Sequence, residues 1–236
     1  MRSAAHGPHR PARAALAGHT LVELAVTVSI AGVISIGVVT IGAQLWAEQR
    51  MEDLIRRMAS LVEEVDQLFI NNVDYQKLDL ESAVRLGLLR HERVVAAGSQ
   101  GPGLPATSSV QHIFSQPITL GVLNGPGFNN LAWGLHYSRL PVDACMTLVG
   151  YAVHLFEAVA ITSDPYTAAR PTQFADWGGS SPIQRSGGKV TGFPTGYEVI
   201  KNEKSGAPTV QDRVTACLAV SGRGSSFGLA LVRTKL

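Results

Sequence analysis

The chain has 236 residues, which permits one substantial domain plus an appendage, and its formal charge of +2 gives no electrostatic reason to expect nucleic acid as a partner. Charged residues make up only 16% of the chain against 45% apolar residues, and the apolar excess is concentrated near the N-terminus. With 24 Gly and 12 Pro in the chain, the remainder reads as a soluble domain rich in turns.

Residues 1–18, MRSAAHGPHRPARAALAG, carry Arg2, Arg10 and Arg13 and no acid. From Leu24 to Trp46 no residue is charged. As a helix rising ~1.5 Å per residue that run would measure roughly 35 Å, enough to cross a bilayer core. Basic residues before it and Glu48 after it predict a cytoplasmic start and an exported remainder. A secretory signal peptide has an apolar region of only ~7–15 residues ending in a small-residue cleavage site, and no such site precedes the charged stretch Glu48–Arg57. A plain signal anchor satisfies hydropathy equally well.

Glu23 separates these readings. A carboxylate at the centre of a membrane helix costs about 2.5–3.5 kcal/mol, and less near the interface. No Lys or Arg lies on the following turns, so its partner has to come from elsewhere. The segment G-H-T-L-V-E-L, Gly18 to Leu24, resembles the processing site of type IV prepilins. The resemblance implies cleavage after Gly18 by a prepilin peptidase, a mature chain that begins at a methylated His19, and Glu23 as the fifth mature residue. It also implies that Glu23 neutralises the α-amino group of a neighbouring subunit in a fibre core, each charge relieving the desolvation of the other. His19 stands where the family usually has Phe or Met, and the leader is longer than in the type IVa class; both features lean toward type IVb.

The pattern predicts one helix from Thr20 to about Asn71, roughly 75 Å long. Its first half is apolar all round. Its second half is amphipathic, with Leu54, Met58, Leu61, Val65 and Leu68 on one stripe and Arg56, Arg57, Glu63, Glu64 and Asp66 opposite. Gly32, Gly37 and Gly42 each weaken the helix by about 0.5–1 kcal/mol relative to Ala. Their spacing of five excludes a GxxxG dimer face and leaves open close packing or local melting. Trp46 reads as an interface anchor. The expected organisation is a leader over residues 1–18, an N-terminal helix over 19–71 with 24–46 in membrane or fibre core and 47–71 amphipathic, and a head domain over 72–236.

Asn71–Asp74 reads as a turn and Leu78–Leu89 as a short helix. Gly98–Ser109 is a loop, Val110–Leu123 holds strands, Asn124–Gly127 turns, and Leu131–Tyr137 is another strand. Pro141–Phe156 reads as a helix carrying Cys145, capped by Asp143 or the preceding turn. Val159–Thr162 is strand-like. Ser163–Pro194 is polar and long for a structureless loop, so short strands or a variable surface are expected. Val214–Val220 and Phe227–Val232 are expected as two closing strands joined by Ser221–Ser226.

Cys145 and Cys217 are the only cysteines, free thiols in a cytosolic chain and a disulfide in an exported one. The segment L-P-V-D-A-C, Leu140 to Cys145, with the late Cys217, resembles the C-terminal part of PilS-type major pilins of thin and conjugative pili. That resemblance implies a region closed by a Cys145–Cys217 disulfide, for which chain entropy suggests roughly 4 kcal/mol.

The sequence contains no H-E-x-x-H, C-x-x-C or Walker loop. Gly222–Gly228 has one residue too many for a nucleotide fingerprint and reads as a hairpin turn. His154 reads as structural, and His136, Asp164 and Asp176 show no ligand spacing. No catalytic, cofactor or metal site is expected. The reading is an α+β chain, with the type IV pilin fold that the resemblance implies: a long N-terminal helix packed on an antiparallel β-sheet, with a C-terminal disulfide-closed region. The implied function is a structural subunit of a type IVb pilus for adhesion, aggregation or conjugative contact. The implied partners are copies of itself in a helical fibre, a prepilin peptidase and the inner-membrane assembly machinery. The subunit would sit in the inner membrane before assembly and in an extracellular fibre afterwards. A type II secretion pseudopilin is an alternative, as is a signal-anchored periplasmic enzyme or binding protein, left uncut after Gly18.

Overall fold

The computed structural model describes residues 20–95, 109–123, 125, 127–163, 183–193, 196–203 and 206–235. The expected leader, most of the loop Gly98–Ser109 and much of Ser163–Pro194 lie outside the described residues, as do the side chains of residues 36–41, 43 and 44. The chain divides into two compact units, Met1–Ala47 and Glu48–Leu236. Helix α1 (Leu21–Leu68) contributes residues to both.

In the second unit, α1 buries Leu54, Met58, Leu61 and Val65 of the expected stripe, with Val62 beside them, but Leu68, at the last residue of the helix, is 43% exposed; Glu52 and Arg56 are exposed as well. Helix α2 (Leu80–Arg85) starts at Asp79, whose carboxylate accepts from the Ser82 N–H at 2.7 Å. It is shorter than the expected Leu78–Leu89 because Gly87, at φ 75, turns the chain over and Leu88 N–H bonds back to Ala83 O.

Seven strands form one sheet: β1 (Arg93–Val95), β2 (Ser109–Gln111), β3 (Pro117–Leu123), β4 (Ala132–Pro141), β5 (Ala158–Thr162), β8 (Tyr197–Lys201) and β9 (Ser226–Thr234). Their order is β1-β2-β3-β4-β9-β5-β8 and every pairing is antiparallel. Strands β6 (Gln184–Ser186) and β7 (Lys189–Thr191) make a separate hairpin, two of the short strands expected within Ser163–Pro194. The last strand in sequence is thus inserted in the middle of the sheet, between β4 and β5.

Both faces of the central strands are buried. Trp133, Leu135 and Tyr137 of β4, Leu229 and Leu231 of β9, and Val159 and Ile161 of β5 join the core that includes the α1 stripe. The alternate residues Ala132, Ala158, Ala160, Ala230 and Val232 pack with Leu123, Phe128, Ile183 and Val190 in a second cluster. This two-sided burial explains why the sequence shows apolar runs here rather than alternation. The turn before β4 comes so close to Ile183 and Arg185 that a Cβ on Gly125 or Gly127 would collide with their backbone oxygens. Gly127 also sits at φ 85, a region that glycine tolerates best.

A 3₁₀ turn (Val142–Ala144) leads into α3 (Cys145–Leu155), and no side chain caps either element, so Asp143 does not cap the helix. Its open carbonyl end is held instead by two cations. Lys201 donates to Val153 O at 2.6 Å and Phe156 O at 2.7 Å, and Arg233 donates to Leu155 O at 2.6 Å.

The expected strand Val214–Val220 is a helix, α4 (Val210–Ser221). The β-branched and small residues in V-T-A-C-L-A-V suggest a strand, but a capping box outweighs that weak propensity: the Thr209 hydroxyl accepts from Asp212 N–H and the Asp212 carboxylate from Thr209 N–H. The helix buries Ala216, Cys217 and Val220 at helical spacing. Residues 222–225 therefore join a helix to a strand and do not form the expected hairpin turn.

Candidate functional site

The expected processing residues Gly18 and His19 lie outside the described residues. Description begins at Thr20, which caps α1: the Glu23 N–H donates to Thr20 Oγ1 at 3.3 Å and the Leu24 N–H to Thr20 O at 3.1 Å. Thr20 and Glu23 have the T-x-x-E spacing of a capping box, a helix-start signal additional to those named above. Glu23 stands exposed in the first turn, the only charged residue between Leu21 and Trp46.

Leu21, Val22, Leu24, Val26, Val28, Ile30, Val33 and Ile34 are 51 to 86% exposed. These positions go all round the helix, so a single docked partner face could not cover them. The three hydroxyls among them bond to the helix itself: Thr27 to Leu24 O at 2.9 Å, Ser29 to Ala25 O at 2.8 Å and Ser35 to Ala31 O at 2.7 Å. Each hydroxyl thereby meets its donor need without water, the condition for entering apolar surroundings. Nothing among the described residues lies within 4 Å of a Cβ placed on Gly32 or Gly42, so neither glycine serves a close contact among them. Trp46 is 67% exposed. Among the described residues no helix is long and apolar enough to cross a membrane. The expected span 24–46 passes through residues 36–41, 43 and 44, whose side chains lie outside the described residues.

Cys145 at the start of α3 and Cys217 in α4 form a disulfide across a sequence separation of 72. Both residues are buried. Gly150 of α3 lets the Arg213 guanidinium of α4 approach, since a Cβ there would meet Arg213 Nη1 at 3.1 Å.

Two histidines, His112 and His136, are buried, and no motif marks them in the sequence. His136 lies on the second face of the sheet, its Nδ1 3.3 Å from Ser138 Oγ and its Nε2 3.0 Å from the Tyr197 hydroxyl of β8. Burial, with a smaller contribution from His112, pulls His136 down to about 3. These groups do not form a metal site, and among the described residues no cluster of His, Cys, Asp and Glu could hold a metal ion. His154 is exposed on α3, away from any such arrangement.

No protein-family model matches the chain, and no curated protein does. Among solved structures it is similar to a type IVb pilin from Salmonella typhi, at 12% identity and a TM-score of 0.44 over 75% of this chain and 95% of that one. It is also similar to TcpA, a type IV pilin from Vibrio cholerae El Tor biotype, at 16% identity and a TM-score of 0.46 over 79% of this chain and 99% of that one.

Proposed function

We propose that the chain is the structural subunit of a type IVb pilus-like fibre, cut after Gly18 by a prepilin peptidase and polymerised through its apolar N-terminal helix. The observation that carries this reading is the surface of that helix. It is apolar and exposed on every side from Leu21 to Ile34, its hydroxyls are bonded to its own backbone, and its one charge is Glu23. Such a helix suits two environments, a bilayer before assembly and a bundle of identical helices afterwards. In the fibre the α-amino group created by cleavage before His19 on a neighbouring subunit pairs with Glu23, each charge offsetting the desolvation of the other. A subunit that gives its amine to one neighbour and its carboxylate to another makes a head-to-tail contact that does not close, and so grows a filament. The head domain, braced by Cys145–Cys217, would remain on the outside of the fibre for adhesion, aggregation or mating contact. Methylation of His19, a prepilin peptidase and an inner-membrane assembly apparatus belong to the same proposal.

Co-expression with a prepilin peptidase, followed by N-terminal sequencing of the membrane fraction, tests it. A mature chain starting at His19 is expected. A chain still starting at Met1, under conditions where a control prepilin is cut, would remove the basis of the reading.

A further inference from the structure

We propose that His112 is an acid-operated latch that ties the β2–β3 turn to the bulge in β4. The bulge is visible in the strand register. Tyr137 pairs with Leu229 and Leu140 with Phe227, so Ser138 and Arg139 together oppose the single residue Gly228. Arg139 takes φ 49, a left-handed conformation uncommon for a residue with a side chain. Two residues against one interrupt the ladder, and the Ser138 carbonyl oxygen lies 2.9 Å from Nε2 of His112.

The same histidine closes its own turn. The Gln116 carbonyl accepts from His112 N–H at 2.9 Å, and the His112 carbonyl accepts from Ser115 N–H at 2.7 Å, with Ser115 at φ 58. The Phe114 N–H then donates to His112 Nδ1 at 3.2 Å. A backbone N–H can only donate and a carbonyl can only accept. Nδ1 must therefore be bare and Nε2 must carry the proton, so two backbone groups select one neutral tautomer.

A proton taken from solvent onto Nδ1 would set two N–H groups against each other in a position 2% exposed. The Phe114 N–H would lose its acceptor and the turn would have to open for water to supply another. The nearby carboxylate, Glu92, acts on Tyr137, but it is engaged by Arg57 at 3.2 Å and burial pushes it toward its neutral form. Phe114 lies edge-on at 5.8 Å and Tyr137 of β4 at 5.7 Å, and burial keeps the Tyr137 hydroxyl protonated. His136 lies beyond Ser138 and is itself held neutral, so it supplies no counter-charge. In β1, Arg93 pairs with the adjacent Gln111. Burial accordingly holds His112 down at about 4, with the Ser138 carbonyl opposing.

The latch sits immediately before Leu140–Ala144, which delivers Cys145 to the disulfide. On acidification the turn 112–116 and the bulge 138–139 loosen first, while the centre of the sheet stays paired. Hydrogen exchange and ¹⁵N-histidine spectra of the full chain in detergent micelles test this from pH 7 to pH 3. His112 should keep its Nε2–H tautomer well below the pH at which a free imidazole titrates. Protection of the Phe114 and Ser115 amides should then fall about tenfold per pH unit, ahead of Leu229 and Leu231. His112→Gln should abolish that early loss, and His136→Gln, which leaves the latch in place, should retain it. Titration of His112 near the ordinary value, or loss of Phe114 and Leu231 protection together, would overturn the proposal. So would an unchanged Phe114 profile in His112→Gln; if that variant does not fold, His112→Asn, which can still accept from Phe114, takes its place with the same expected result.

Discussion

The guanidinium of Arg233 in the last strand lies 2.7 Å from the carboxylate of Asp66 near the end of the first helix, 167 residues earlier in the chain. The same guanidinium donates to Leu155 O at 2.6 Å and approaches Glu157 at 3.4 Å. Glu157 in turn accepts from Thr234 N–H at 2.9 Å, and Lys235 reaches the Phe69 and Asn72 carbonyls. One short segment, Arg233–Lys235, thus ties β9 to α1, to the end of α3 and to the start of β5. At Glu157 burial dominates and pushes the carboxyl up, despite Thr234 N–H and Arg233. At Arg233 burial also works against the charge, but the hydrogen bond to Asp66 and the charges of Glu157 and Asp66 outweigh it.

Arg233→Met should therefore cost more than an ordinary surface pair. It removes the cation that Asp66 and Glu157 share and frees the Leu155 carbonyl. A loss of about 1–3 kcal/mol is expected, between the surface and fully buried limits. Urea unfolding of the head domain signal in the full chain measures it. Adding Asp66→Asn and Glu157→Gln should restore part of the loss, and no coupling in that cycle would refute the shared network.

Replacing both Cys145 and Cys217 with Ser should lower stability by about 4 kcal/mol, because the bond spans a long loop in the unfolded chain. The thermal midpoint of the oxidised protein, compared with the double variant and with reduced protein, gives the value. An unchanged midpoint would mean that the helix pair α3–α4 holds without the bond.

Stability should fall as the solution is acidified through the pH range below about 6.5. His136 is held neutral in the folded chain, down to about 3, whereas in the unfolded chain it protonates near the ordinary value. Between those limits the unfolded state binds the extra proton, so folding weakens by up to about 1.4 kcal/mol per pH unit per histidine. Burial raises Glu92 and Glu157, which act in the opposite sense just above the ordinary carboxylate range. Chemical denaturation at stepped pH should show the acid-side slope, reduced in His136→Gln. An identical slope in that variant would assign the acid sensitivity elsewhere.

Glu23→Val should leave membrane association intact and prevent incorporation into fibres. Membrane pelleting and the sheared extracellular fraction report the two properties separately. Normal recovery of Glu23→Val in fibres alongside unaltered subunits would sink the pairing of this carboxylate with a neighbouring amine.

Much of the secondary structure was legible locally. The stripe Leu54, Met58, Leu61, Val65 marked the packed half of α1, and the apolar runs around Ile118–Leu123 and Val159–Thr162 marked strands. Helix α4 was misread because Val214 and Thr215 suggest a strand, while the stronger signal, Thr209 with Asp212, lies just upstream of the segment considered. Strand β8, Y-E-V-I-K, carries a weak pattern because none of its five residues is buried at the sheet edge. In the candidate site, Glu23 was conspicuous as a lone acid in an apolar run. The hydroxyl bonds of Thr27, Ser29 and Ser35 became visible only once the helix was drawn.

Helix α1, the apolar strands and the uniformly apolar N-terminal segment were readable from local pattern, because those properties depend on residues within a few positions of one another. The tertiary structure alone decided that β9 enters the middle of the sheet, that Arg233 meets Asp66 and that His112 reaches Ser138. Such contacts join residues far apart in the chain, and they form only when burial of both sheet faces has outweighed the entropy of closing the intervening loops.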